Sequence, residues 1–137
     1  MLAIIPEMSV QDVNKIGMLG LAHVGDAVYE LLFRSKLCAE KPAAVTQLHK
    51  LTVAHVNASA QAKAAEKILP LLNEEELSIY KRGRNTKVNS VPHHAEIAKY
   101  HAATGLEALF GYLYLGGNIS RIRELFEYCK ENTETEE

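Results

Sequence analysis

Two isolated carboxylates stand out in this chain, because each lies in a long stretch that is otherwise uncharged. Asp26 is the only charged residue in the range 16–29, and Glu107 is the only one in the range 102–120. An ionised carboxylate that is buried without a partner destabilises a fold by several kcal/mol. Each acid therefore needs a structural or a chemical reason for its position.

The structural reason is the common one for a single acid, which can cap a neighbouring helix or pair with an arginine from elsewhere in the fold. Two such acids favour another explanation, because carboxylates in one site repel unless a cation lies between them. Mg²⁺ is the natural candidate, since one or two carboxylates, waters and substrate phosphate commonly hold it. A bound Mg²⁺ can activate water and stabilise charge on a phosphodiester. Asp26 and Glu107 are thus candidate catalytic and metal-binding residues.

The elements that must position these acids are helices. Proline and glycine turn signals divide the sequence into pieces of helical length, and no stretch shows sustained alternation of apolar and polar residues. Ser9 and Asn73, the latter with Glu76 in a capping box, mark two helix starts. Further helices are predicted over Leu19–Lys36, Ala43–His55, Asn57–Leu69, Glu96–Leu115 and Ile119–Lys130. The predicted fold class is all-α, and the helices that carry Asp26 and Glu107 are predicted to be central, with apolar residues on both sides.

Length and composition fit one soluble domain. The 137 residues are 47% hydrophobic and 23% charged, which is typical of a globular protein. We predict one domain over residues 1–131 and an acidic flexible tail over 132–137. No signal peptide or membrane span is evident, so the expected location is the cytoplasm. Cys38 and Cys129 lack metal-ligand spacing and are expected to be reduced thiols.

The net charge of −2 hides a mildly basic body. Six glutamates and one lysine lie from position 124 onward, which leaves 14 basic and 11 acidic residues before it, a charge of +3. The densest positive segment runs from Lys81 to Lys87 and includes Arg82, Arg84 and Asn85. It can bind phosphate, or it can be a helix C-terminus whose cations complement the dipole and whose Gly83 caps the last turn. The residues alone favour neither alternative.

Six histidines raise the possibility of a metal or acid–base site, but their spacing argues against it. His93 and His94 are adjacent and point apart, while His49 and His55 share no helical face. His101 precedes Glu107 by six residues and is a candidate for a phosphate contact.

Three motifs in order resemble the ribonuclease III catalytic domain. They are Gly25-Asp26-Ala27-Val28, the basic segment Lys81-Arg82-Gly83-Arg84-Asn85, and Glu107-Ala108-Leu109-Phe110-Gly111-Tyr112-Leu113. The resemblance is closer to mini-ribonuclease III, the short form without a double-stranded-RNA-binding domain. It implies a ribonuclease III-like helical fold and Mg²⁺-dependent cleavage of double-stranded RNA.

The chain departs from the larger family at three positions. Ribonuclease III usually has acids seven and four residues before the Asp and three before the Glu, where this chain has Leu19, Ala22 and Thr104. Mini-ribonuclease III also lacks these acids, so the departure indicates that subfamily. It leaves open whether one or two metal ions bind.

The resemblance also implies partners. It favours RNA contact for the basic segment, with Lys63 as a further candidate, and it implies a homodimer in which His23 takes the place of an aromatic residue inserted into the partner, flanked by Leu19 and Ala22. The expected substrate is the precursor of large-subunit (23S) ribosomal RNA. The alternatives are a non-catalytic, ribosome-associated RNA-binding module of the same fold and a purely structural helical protein.

Overall fold

The computed structural model describes residues 4–40, 43–86 and 96–131, and these form seven α-helices and one 3₁₀ turn with no strand among them. The all-α prediction is therefore confirmed for the described residues. The elements in chain order are α1 (Val10–Asn14), α2 (Met18–Glu40), α3 (Val45–Val56), α4 (Ala58–Ile68), a 3₁₀ turn (Leu69–Leu71), α5 (Glu74–Arg84), α6 (Ile97–Leu115) and α7 (Ile119–Lys130).

Side-chain caps explain where several helices begin. Ser9 Oγ accepts a hydrogen bond from the backbone N–H of Asp12 at 3.1 Å. Asn73 Oδ1 accepts from the backbone N–H of Glu76 at 2.8 Å, and a Glu76 carboxylate oxygen accepts in return from the Asn73 N–H at 3.0 Å. Such bonds satisfy N–H groups that have no partner inside the helix. Both predicted helix starts are confirmed.

The longest helix differs from its prediction at its C-terminal end. Helix α2 continues one turn beyond Lys36 to Glu40. Lys36 Nζ and a Glu40 carboxylate oxygen are 2.7 Å apart, four residues along one face. An ion pair at this spacing supports the added turn by a few tenths of a kcal/mol.

Helix α6 forms the centre of the molecule, with α2, α4, α5 and α7 packed against it. Its central position agrees with the sequence prediction, because nine of its residues are buried around most of its circumference. Helix α2 is different, since only one stripe of it is buried. Leu31 on its other side is 63% exposed. The prediction that α2 is central, as α6 is, is therefore wrong for the single chain, although its residues are apolar on both sides.

Several predictions fall outside the described residues. They concern Lys87, the histidines at 93 and 94, and the tail over 132–137. The single domain over residues 1–131 stays a prediction. No helix in the described ranges is both long enough and apolar enough to cross a membrane.

Candidate active site

Two glycines let helices α2 and α6 touch backbone to backbone. A Cβ atom placed on Gly25 would lie 1.7 Å from the backbone oxygen of Glu107, and one on Gly111 would lie 1.9 Å from the backbone oxygen of Leu21. No real side chain fits at such distances. The crossing therefore requires glycine at both positions, and it brings Asp26, the neighbour of Gly25, next to Glu107.

The two predicted acids form a pair in the structure. Burial, together with the nearby Asp26 carboxylate, raises the pKa of Glu107 to about 8. Burial is the larger cause, because it disfavours the charged form, and repulsion between the acids adds to it. Without a cation the pair is therefore strained as a dianion, which is the condition that a divalent ion relieves.

The pair is open to solvent on one side. Asp26 is exposed, whereas Glu107 is partly buried. An open depression of about 560 Å³ adjoins Asp26 and is lined by side chains of α2, namely His23, Asp26, Ala27, Glu30, Leu31 and Arg34. The expectation that Asp26 is buried is wrong, because it lies at the edge of the stripe that α2 buries against α6. A large substrate can therefore approach the acids without any displacement of the helices.

A buried amide, Gln61 of α4, completes the site and was not among the predicted residues. It is 2% exposed, and its Nε2 donates a hydrogen bond to Glu107 Oε2 at 3.3 Å. The available signal in the sequence was weak, because Gln61 is one of three polar residues, with Ser59 and Lys63, in the alanine-rich stretch from Ala58 to Ala65. That signal does not say which neighbour the amide meets, because the two residues are 46 positions apart.

The donor set fits a magnesium ion that keeps several waters. No group of three or more His, Cys, Asp and Glu side chains within the described part of the chain is placed to hold a metal. Asp26 and Glu107 are hard oxygen donors, and Mg²⁺ is usually bound by one or two carboxylates plus water and phosphate. The two acids are therefore the residues that would hold the ion.

The three positions that carry acids in the larger family do not supply further ligands here. Thr104 Oγ1 donates to the backbone oxygen of Tyr100 at 3.1 Å, so it is tied to its own helix. Ala22 is 7% exposed and packs in the small cluster with Leu21, Ile79 and Ala108, whereas Leu19 is 44% exposed.

The basic segment forms the last turn of α5, which packs on α6. Gly83 lies inside the helix and is buried, and a Cβ on it would be 2.8 Å from the Ala108 Cβ. The idea that Gly83 caps the last turn is wrong, because Asn85 is the C-cap and the glycine is needed for close packing on α6. Since Ala108 follows Glu107, α5 packs on the part of α6 that carries Glu107.

The cations of this turn have different surroundings. Lys81 and Arg82 are exposed. Arg84 stacks its guanidinium over the Tyr80 ring at 5.8 Å and donates from Nε to Asn85 Oδ1 at 3.2 Å. Lys81, Arg82 and Arg84 all occupy the last turn, where positive charge also complements the helix dipole.

Two other candidates for RNA contact lie on neighbouring helices. Lys63 is an exposed residue of α4. His101 is partly buried on α6, and its Nδ1 has no hydrogen-bond partner among the described residues.

The predicted dimer residues divide into two groups. His23 is exposed and borders an apolar groove of about 510 Å³ between α2 and the end of α6 with α7, which also contains Val24, Val28, Leu31, Tyr114 and Ile122. Leu19 also offers surface. Ala22 does not, because it is buried in the core of its own chain.

Comparison with known proteins agrees with this geometry. The ribonuclease III domain family matches residues 19–118. A mini-ribonuclease 3 from Thermoanaerobacter sp. (strain X514) is 47% identical over 117 residues, which cover 85% of this chain and 82% of the relative. A mini-ribonuclease 3 from Enterococcus faecalis is 38% identical over 130 residues, which cover 93% and 98%.

A protein from Fusobacterium nucleatum with a known crystal structure has the same fold. It superposes with a TM-score of 0.74 at 34% sequence identity, over 80% of this chain and 84% of that one. The chain therefore belongs to the mini-ribonuclease 3 group of the ribonuclease III domain family, a family of endoribonucleases.

Proposed function

We propose that this endoribonuclease hydrolyses phosphodiester bonds in double-stranded RNA with Mg²⁺ held by Asp26 and Glu107, and that its substrate is precursor 23S ribosomal RNA. The observation that carries the proposal is the carboxylate pair itself. It lies open to solvent through the exposed Asp26, and α5, which ends in a basic turn, packs on the helix that carries Glu107. An acid pair of this kind suits phosphodiester hydrolysis, because the two carboxylates can hold a cation that also binds the phosphate of the substrate.

The residues of the chain have separate tasks in this reaction. Asp26 and Glu107 bind and orient the ion, and when bound the ion activates water and stabilises the charge that develops on the phosphate. The close contact of α2 and α6 fixes the separation of the acids, because neither helix can move without breaking the Gly25 and Gly111 packing. Cleavage leaves 5′-phosphate and 3′-hydroxyl ends.

The basic turn supplies the contact with the RNA backbone. Lys81, Arg82 and Arg84 offer positive charge at the end of α5, and Asn85 offers an amide. Double-stranded RNA is recognised mostly by its shape, through phosphates and 2′-hydroxyls. Cleavage is therefore expected to depend on RNA structure more than on sequence.

A homodimer accounts for the cleavage of both strands. One active site in each subunit can serve one strand, and a two-fold axis matches the approximate symmetry of a duplex. The apolar groove next to His23 gives the second copy a surface to cover. Because the proposed substrate is precursor ribosomal RNA, we also propose that the enzyme acts in the cytoplasm.

The alternative, a non-catalytic RNA-binding module of the same fold, has no need for two acids that repel each other. The test is a cleavage assay of the purified protein on a structured RNA duplex, with Mg²⁺ and with a chelator. We expect cuts in both strands that require Mg²⁺. Binding of the duplex without any cleavage would favour the alternative.

A further inference from the structure

The carboxamide of Gln61 is the least expected feature of the active site. It is 2% exposed, on a face of α4 that otherwise buries apolar residues such as Ala64, Ala65 and Ile68. A buried polar group is stable only when it is hydrogen-bonded. Here the bond goes to Glu107 Oε2 on α6, at 3.3 Å.

This bond has a consequence for the Glu107 carboxylate. The torsion about the bond that joins a glutamate carboxylate to its side chain has a broad distribution, so the carboxylate rotates easily. A donor fixed by burial at one oxygen limits that rotation and holds the group in one orientation. The amide is also neutral, so it gives a hydrogen bond without adding a charge that would compete with a cation.

We propose that Gln61 is a positioning residue for the metal site, whose amide holds Glu107 in the orientation in which that carboxylate shares a Mg²⁺ ion with Asp26. This inference rests on the proposed function, and it adds a residue on a third helix to a site otherwise built by α2 and α6. Partners that orient a metal ligand in this way affect metal affinity or activity by about 10- to 100-fold.

The competing explanation is that Gln61 only docks α4 on α6. The structure offers a matched comparison, because a second side-chain bond joins the same two helices. Lys99 Nζ donates to Ser59 Oγ at 3.1 Å, away from the carboxylates and on exposed surface. Loss of that bond removes a contact between α4 and α6 without touching Glu107.

The experiment compares wild type, Gln61→Met and Ser59→Ala. Methionine has nearly the volume of glutamine but no N–H donor, so the helix packing is retained. The melting temperature of each protein is measured against Mg²⁺ concentration, because an ion that binds only the folded state raises it. The kcat and KM for duplex RNA are measured at saturating Mg²⁺ as a second readout. Gln61→Asn, whose amide is one methylene too short to reach Glu107, replaces Gln61→Met if the latter does not fold.

We expect the Gln61 variant to need at least about tenfold more Mg²⁺ for half of its thermal shift, to lower kcat and to leave KM for RNA unchanged. Ser59→Ala is expected to match wild type in the Mg²⁺ concentration for half of the thermal shift, in kcat and in KM. A Gln61 variant with wild-type Mg²⁺ dependence would overturn the proposal, as would an equal loss in Ser59→Ala or failure of both Gln61 variants to fold. If the wild type itself shows neither a Mg²⁺ shift nor cleavage, the proposed function fails as well.

Discussion

At the scale of single residues, Asp26 and Glu107 have opposite effects on stability and on function. Packed together without an ion, they destabilise the fold through the burial of Glu107 and the repulsion between the two charges. In the proposed function the same two charges would be the ligands of Mg²⁺. Residues that are unfavourable for the metal-free fold and favourable for chemistry are typical of active sites.

Replacement of either acid separates these effects. We expect Asp26→Asn or Glu107→Gln to lower the cleavage rate by about a thousandfold or more, because the charge stabilisation by the ion is worth several kcal/mol. The metal-free protein should be as stable as wild type or more stable, since the repulsion is gone. Thermal melts without metal and a cleavage assay with Mg²⁺ measure the two effects. Strong destabilisation with retained cleavage would contradict the assignment.

Glu76 is the contrasting control, because it is a buried acid with a structural role. It is 3% exposed, and its two carboxylate oxygens accept hydrogen bonds from Arg121 Nε and Nη2, each at 2.9 Å. Glu76→Gln should lower the free energy of unfolding by about 1–3 kcal/mol, as expected when a hydrogen bond between charged groups is lost and Arg121 stays partly exposed. Its effect thus has the opposite sign to that of Glu107→Gln.

The raised pKa of Glu107 predicts how the stability of the metal-free protein depends on pH. The folded value of about 8 lies above the ordinary value of 4.5. Between these values the unfolded chain has released the proton and the folded chain has kept it, so the free energy of unfolding falls as pH rises. We expect a decrease on the order of a few kcal/mol from pH 5 to pH 8 in wild type.

Chemical denaturation at several pH values in the presence of a chelator measures this dependence. Glu107→Gln should show much less of it, because the amide does not titrate. Equal slopes in the two proteins would show that other groups cause the pH dependence.

At the scale of secondary-structure elements, the crossing of α2 and α6 determines the site. Gly25 and Gly111 bring the two backbones into direct contact, and the acid next to Gly25 then meets Glu107. Helix α5 joins the same centre through Gly83, which packs on Ala108. Three glycines inside helices weaken the helices themselves by up to about 1 kcal/mol each, and the close packing compensates for this.

We expect Gly25→Ala to disrupt the crossing. Its Cβ would overlap the Glu107 backbone oxygen, which cannot move away as a flexible side chain would. The loss should exceed about 3 kcal/mol in the free energy of unfolding, as measured by chemical denaturation. Gly17→Ala is the control, because a Cβ at Gly17 has no atom within 4 Å, and it should change stability by less than about 0.5 kcal/mol. Similar stability of the two variants would contradict the packing argument.

The basic turn of α5 should contribute to RNA affinity through charge. Arg82→Ala and Arg84→Ala are expected to weaken binding to all duplexes alike and to lower the slope of log affinity against log salt by about one per contact. Lys15→Ala removes an exposed lysine of the α1 end and should leave the slope unchanged. Duplex affinities at several salt concentrations test this. An unaltered slope in both arginine variants would leave this turn with only its role in the helix dipole.

At the scale of the whole molecule, the exposed apolar side of α2 is the surface that the proposed dimer would cover. Val24, Val28 and Leu31 line an apolar groove with residues of α6 and α7, and Leu31 is 63% exposed in the single chain. A second copy that covers this groove would explain why α2 is apolar on both sides.

We expect His23→Glu to weaken self-association by at least about tenfold, which corresponds to 1.4 kcal/mol, because it places a charge at the border of an apolar interface. Val45→Glu, at a residue that is 80% exposed on α3, should have no effect. Sedimentation equilibrium at micromolar concentration measures both variants. A wild-type protein that is monomeric at this concentration would rule out the dimer.

The sequence by itself determined the helices, most of their ends and the two acids. These depend on short-range physics, since a cap such as Asn73 bonds three residues away and a lone charge in an apolar stretch is visible without any neighbour. The tertiary structure alone decided which residues meet those acids. Gln61 reaches Glu107 across 46 positions, Gly83 packs inside a helix instead of ending one, and Ala22 turns into the core of its own chain. Each of these contacts depends on how two helices cross. A helix with apolar residues on several faces can bury any of those faces, and only the position of the neighbouring helix decides which one is buried.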